Sequence, residues 1–183
     1  MSGIPSIVKD AIDMHNHIGP DILPRKDTVE SLLKNEKGKI TGIALKSHAF
    51  PTISAINTIE KKSEFPFLIG SITLNYFMGG FNPSAIYASA TMSKGAPIIV
   101  WFPTIHAENH LLKNHSQYEI PPEWVRDPKF KPRLKSELKA IKVTDWNSKL
   151  FEKCIRVLKA IKENNCILAT GHLSWQESYV LAK

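Results

Sequence analysis

Short apolar runs alternate along this chain with stretches of helical periodicity, and that alternation narrows the fold more than any single motif does. Residues 11–17, 40–46, 67–74, 97–102 and 166–170 are apolar segments of strand length. Leu150, Phe151, Cys154, Ile155, Leu158 and Ile161 recur at three- and four-residue spacing, the mark of a helix with one buried face. Alternation of this kind predicts an α/β fold around a parallel sheet. The second run is almost continuously apolar up to Lys46, as a strand covered on both faces is. Helix boundaries are punctuated as well. Asp27 with Glu30, Asn82-Pro83, and Ser174 with Glu177 are N-terminal capping signals, while Gly38 and Gly95 are stops.

The rhythm breaks at about 105–146, a site-forming insertion within a single domain spanning 1–183. Connections of that length in compact domains commonly form lids or binding sites, and otherwise are disordered linkers. This one holds His106, His110 and His115, several prolines and an extended piece at 140–144. If helical, His106 and His110 share a face; His115 reads as a loop residue.

A chain of 183 residues with 43% hydrophobic content can bury a real core. No run approaches the ~20 apolar residues of a membrane span, and no signal peptide opens the chain, so the expectation is a cytoplasmic protein with no membrane partner. Cys154 and Cys166 have no metal-type spacing and are expected as reduced thiols. The net charge is +7. Between Arg126 and Lys142 seven basic residues stand against Asp127 and Glu137, a local +5 that leaves +2 elsewhere. The excess lacks a nucleic-acid motif and reads as a solvated face, with no nucleic-acid partner expected.

The polar residues fall at strand ends. His15 and His17 close the first strand, Lys46 and His48 the second, and Asn75 the third. His106 and His110 follow the fourth and His172 the fifth. Ligands of parallel α/β sheets bind at the carboxyl ends of strands. Alternate residues of a strand share a face about 6.5–7 Å apart, so His15 and His17 can lean onto one ion at about 2 Å from each ring nitrogen. Lys46 either snorkels or binds substrate as a cation. His48 is open as ligand, substrate contact or loop hydrogen bond. Asp13, two residues before the pair, is expected on their face as a carboxylate that orients a ligand histidine.

Asp13-Met14-His15-Asn16-His17 with Pro20 and Arg25, Leu45-Lys46-Ser47-His48 with Pro51-Thr52, Val100-Trp101-Phe102-Pro103-Thr104, Asn109-His110 and Ala169-Thr170-Gly171-His172-Leu173-Ser174 together resemble the amidohydrolase superfamily of metal-dependent hydrolases, most closely an uncharacterised amidohydrolase-like branch. The resemblance implies a (β/α)8 TIM-barrel-like fold with one or two divalent metals at its mouth. A barrel takes about 250 residues, so only about the first five βα units are expected here, with association, as a homo-oligomer or otherwise, covering the open sheet. The resemblance nominates His15, His17 and His172 as metal ligands. Lys46, His48, His106 and His110 remain for substrate or a second metal. Zinc suits such ligands, with manganese, iron or nickel close behind. The superfamily's bridging lysine or glutamate after strand four has no counterpart in Trp101-Phe102-Pro103-Thr104.

The implied activity is attack of metal-activated water on an amide, ester or related bond of a small molecule. Two other readings stand beside it. One is a non-catalytic metal- or ligand-binding protein or subunit with an incomplete barrel; the other is a doubly wound domain whose strand-end histidines hold an anion.

Overall fold

A computed structural model describes residues 6–59, 64–114 and 140–183. The chain begins with a short helix, α1 (Ser6–Lys9), and then enters β1 (Ile12–His17). Next come α2 (Val29–Glu36), β2 (Gly42–Lys46), α3 (Thr52–Ile56), β3 (Phe67–Ile69) and β4 (Ser71–Thr73). A 3-10 turn (Tyr76–Met78) leads to α4 (Pro83–Met92), β5 (Ile99–Trp101) and α5 (Glu108–Asn114). The described chain closes with α6 (Glu152–Glu163), β6 (Ile167–Ala169) and α7 (Trp175–Ala182). The fold is α/β, as the alternation predicts. No helix among the described residues is long and apolar enough to cross a membrane.

The barrel expectation is overturned. The described strands form two parallel three-stranded sheets, β1-β2-β3 and β4-β5-β6, and no eight-stranded barrel. The expected third strand, 67–74, is interrupted at Gly70, and each half pairs with a different sheet. Gly70 lies so close to α3 that a Cβ there would sit 3.0 Å from the Ile53 side chain.

Across this break, hydroxyl groups replace part of the backbone ladder. Ser71 Oγ and Thr52 Oγ1 both donate to the Leu45 carbonyl, Thr73 Oγ1 donates to the Ser47 carbonyl, and Thr52 Oγ1 accepts the Ser71 N–H. All three hydroxyl residues are buried, and buried backbone atoms must find partners. Small hydroxyl side chains therefore join β2 to β4 where strand pairing stops.

Each sheet has its own core. Ile18, Val29, Leu32, Leu33, Ile43 and Leu45 pack between the first sheet and α2. Ile72, Leu74, Ile86, Val100, Phe102 and Val157 belong to the second. Helix starts follow local chemistry. Asn82 and Ser174 cap α4 and α7 as expected, the latter with a capping box to Glu177. For α2 the cap is Thr28, with Ser31 completing the box. Asp27 instead accepts from the side chains of Ser31 and Asn35. The predicted insertion contains α5, and its far end returns through bridges from Ile141 to Ala107 and from Thr144 to Leu150. His115 and most of the basic segment lie outside the described residues.

Candidate metal centre

The first histidines are set by a bulge in β1. Asp13 pairs with Ile43 and Asn16 with Leu45, so β1 holds one extra residue between those pairs. Asp13 shapes it. One carboxylate oxygen accepts the His15 N–H at 2.9 Å and the other the Asn16 side-chain amide at 3.1 Å. In a regular strand Asp13 and Asn16 face opposite ways. Asp13 thus holds the backbone beneath His15, and it makes no hydrogen bond to a histidine ring among the described residues. Beyond the bulge, His15 Nε2 and His17 Nε2 converge to 3.2 Å.

The carboxylate at the pair is Asp21, which strand-based reasoning missed because it lies in the loop after β1. Its side chain is fully buried, and its Oδ2 takes Arg25 Nη2 at 2.7 Å and Nε at 2.9 Å, with His17 Nδ1 3.8 Å away. Its Oδ1 accepts the backbone N–H groups of Ile22 and His48 and the hydroxyl of Ser47. Burial alone raises a carboxyl pKa, but the contacts from His17 and Arg25 hold Asp21 well below the usual range. It thereby ties the β1 loop to the end of β2. The readable signal was its spacing, four residues after His17 and four before Arg25. This loop also encloses a pocket of about 330 Å³ lined by Gly19, Pro20, Leu23, Pro24, Arg25 and Thr28.

Lys46 is only 1% exposed. Its Nζ lies 3.0 Å from His15 Nε2 and 4.1 Å from the centroid of the Trp101 ring, itself 4.7 Å from the His15 ring. Burial first, and then the Arg25 charge, push its pKa down to about 8. His15 is lowered to about 4, by burial and then by Lys46. Trp101, the second residue unflagged by its strand position, is what covers the ammonium.

A third group gathers on Asn75, which is buried and uses four hydrogen bonds. Its Oδ1 accepts the backbone N–H groups of Thr104 and His106; its Nδ2 donates to the His48 carbonyl and to Thr104 Oγ1. Thr104 Oγ1 also meets His48 Nδ1 at 3.0 Å. The His48 ring packs 4.7 Å from that of His17, and burial above all lowers its pKa to about 3. His106 takes the Tyr76 N–H on Nδ1 and stands edge-on to the rings of Tyr76 and Phe77. Its Nε2 is buried with no partner among the described residues, and burial lowers its pKa to about 4.

His106 and His110 do not share a face, because α5 begins only at Glu108. His110 instead meets His172, Nδ1 to Nδ1, at 3.1 Å. The turn before His172 requires glycine. Gly171 has φ +65°, and a Cβ there would lie 2.3 Å from the Phe102 carbonyl oxygen. This approach lets the His172 N–H reach the Pro103 carbonyl, while Asn109 Nδ2 donates to the His172 carbonyl. Burial, His110, Lys46, His15 and His17 together lower the His172 pKa to about 4.

The chain belongs to a family of unknown function, DUF6282, matched over residues 10–183. No curated protein and no solved structure matches it.

This DUF6282 chain thus brings His15, His17, Lys46 and His48 into one connected group, with His172 within reach of their charges. His17, Asp21 and His48 each offer a ligand atom within 4.8 Å of the others. Both Asp21 oxygens already accept hydrogen bonds, which makes it a better holder of His17 than a ligand. The donors at His15 and His17 do fit a metal. Zinc–nitrogen bonds of 2.0–2.1 Å at a tetrahedral angle separate two ligand nitrogens by about 3.3 Å, close to the 3.2 Å between the two Nε2 atoms. The low pKa of His15 keeps its imidazole neutral at pH 7, the form a metal requires.

Proposed function

We propose that this protein is a metal-dependent hydrolase of the amidohydrolase type, acting on an amide, ester or related bond of a small molecule. The observation that carries the reading is the convergence of His15 Nε2 and His17 Nε2 at the separation of two ligands on one ion. These two residues would hold the metal, zinc by the chemistry of the donors, with His172 as the third ligand that the family resemblance nominates. Bound there, the metal supplies an acidified water and polarises the scissile group.

The chain's own residues prepare that site. The Asp21 carboxylate, 3.8 Å from His17 Nδ1, favours the ring proton on that nitrogen and leaves Nε2 free to ligate. Arg25 keeps the carboxylate charged and in place. Lys46 Nζ lies 3.0 Å from His15 Nε2, the nitrogen that would hold the metal, so its positive charge would stand beside the ion. That charge would favour negative charge developing on a substrate bound at the metal.

Elemental analysis tests the reading. Wild-type protein is expected to carry near-stoichiometric metal, and the double variant His15→Ala plus His17→Ala to lose it. Equal metal in both proteins removes the ligand assignment. Screening the loaded protein against esters, lactones, amides and phosphoesters then tests the activity. Full metal without turnover on any class favours a non-catalytic metal-binding protein.

A further inference from the structure

Hydrogen-bond satisfaction around Asn75 fixes more than the position of His48. The backbone N–H groups of Thr104 and His106 can only donate, so the Asn75 atom that meets both is the carbonyl oxygen. The amide nitrogen is then the atom facing Thr104 Oγ1 at 2.9 Å, and it donates. Thr104 is fully buried, and the acceptor left for its hydroxyl proton among the described residues is His48 Nδ1, 3.0 Å away. The opposite tautomer, with the proton on Nδ1, would leave that hydroxyl without an acceptor, at a cost of about 1–3 kcal/mol. His48 Nδ1 is therefore an acceptor, and its ring proton belongs on Nε2.

His48 Nε2 makes no hydrogen bond among the described residues, yet it is not one of the fully buried ring nitrogens without a hydrogen bond, which are His17 Nδ1, Trp101 Nε1 and His106 Nε2. Its ring lies against His17. We propose that His48 enters the site as an N–H donor for an acceptor oxygen of the substrate, such as a carbonyl or phosphoryl oxygen, and not as a metal ligand. Ligation through Nε2 would take the proton off that nitrogen and strand the Thr104 hydroxyl. This separates His48 from the His17 and Asp21 atoms that it neighbours. The substrate role rests on the hydrolase reading above; the tautomer does not.

Long-range ¹H–¹⁵N NMR of the metal-free protein at neutral pH reads the tautomer without a variant. The expected pattern for His48 is a protonated, pyrrole-type Nε2 and a pyridine-type Nδ1; the reverse overturns the proposal. Thr104→Val is expected to abolish the fixed pattern and Thr104→Ser to keep it. Zinc titration supplies the second arm. His48→Gln should bind zinc at unchanged stoichiometry and within about tenfold of wild-type affinity, the mild end of outer-residue effects, while His17→Ala loses it. Loss of stoichiometric zinc in His48→Gln, or a zinc-induced change of His48 Nε2 to a metal-bound nitrogen, overturns the assignment. If wild-type protein takes up no zinc, the hydrolase reading fails while the spectrum still decides the tautomer.

Discussion

The Lys46 ammonium sits 4.1 Å from the centre of the Trp101 ring and forms no ion pair with a carboxylate among the described residues. Cation–π attraction and one bond to His15 only partly offset the loss of water around a buried charge. Its pKa of about 8, below the ordinary lysine value of 10.5, expresses that residual cost. Folding therefore releases protons from this group between the two values. Wild-type stability should rise from pH 8 to 10.5, where the unfolded chain still holds the proton. Lys46→Met should lack that rise and be more stable at pH 7, by about 2 kcal/mol. Thermal unfolding at pH 7 and pH 10 reads both. Equal or lower stability of Lys46→Met at pH 7 contradicts the uncompensated charge.

Acid should loosen the fold in a window set by histidines. His48 and His106, lowered to about 3 and about 4, resist protonation when folded but take a proton near 6.5 once unfolded. The unfolded state thus binds more protons below 6.5, and stability falls with pH from there toward 4. Each group adds a slope of at most about 1.4 kcal/mol per pH unit. Asp21, whose carboxyl is lowered, withdraws its contribution only at pH values below the ordinary carboxylate range. Urea midpoints that stay flat between pH 7 and 4.5 would count against the buried, neutral state of both rings.

Removing the Asp21 carboxylate should act on fold and site together. Asp21→Ala leaves Arg25, a largely buried guanidinium, without its partner and frees the N–H groups of Ile22 and His48. Breaking a buried pair from one side costs about 3–5 kcal/mol, measurable by urea denaturation. Asp21→Asn is the gentler variant. It keeps the shape but weakens the hold on His17, and zinc affinity should fall about 10- to 100-fold.

Gly171→Ala should be among the more damaging single-methyl changes in the chain. The added carbon would stand 2.3 Å from the Phe102 carbonyl oxygen, on backbone with φ +65°. A loss of about 2–4 kcal/mol is expected. The His172 and His110 ring resonances should shift with it, since the turn sets His172 against Pro103 and His110. Gly95→Ala is the control: it shares the positive φ, with open space around it, and should cost less.

What the sequence disclosed was local, and what it hid depended on tertiary approach. The caps at Asn82 and Ser174 were legible because each is settled within three residues by a side chain and a nearby N–H. The strand-end histidines were legible because they follow apolar runs. The bulge was not, since a carboxylate at Asp13 looks the same whether it turns back on its own backbone or points at a ring. The division into two sheets was equally invisible: apolar runs carry no register, and one run divided at Gly70 between the sheets. The partner of His110 was not legible because the start of α5 at Glu108, which decides whether His106 shares its face, has no capping signature that stands out in the sequence.

The hydroxyl contacts at Ser71, Thr73 and Thr52 have a consequence for how motion in this protein can be observed. The Ser71 amide bonds to a threonine oxygen instead of a strand carbonyl. His15, His17, Lys46 and His48 stand on one side of that join, while Asn75, Trp101, Thr104 and His172 stand on the other. Deuterium uptake at this single amide therefore gauges whether the two banks of the histidine cluster remain in register, separately from the melting of either one.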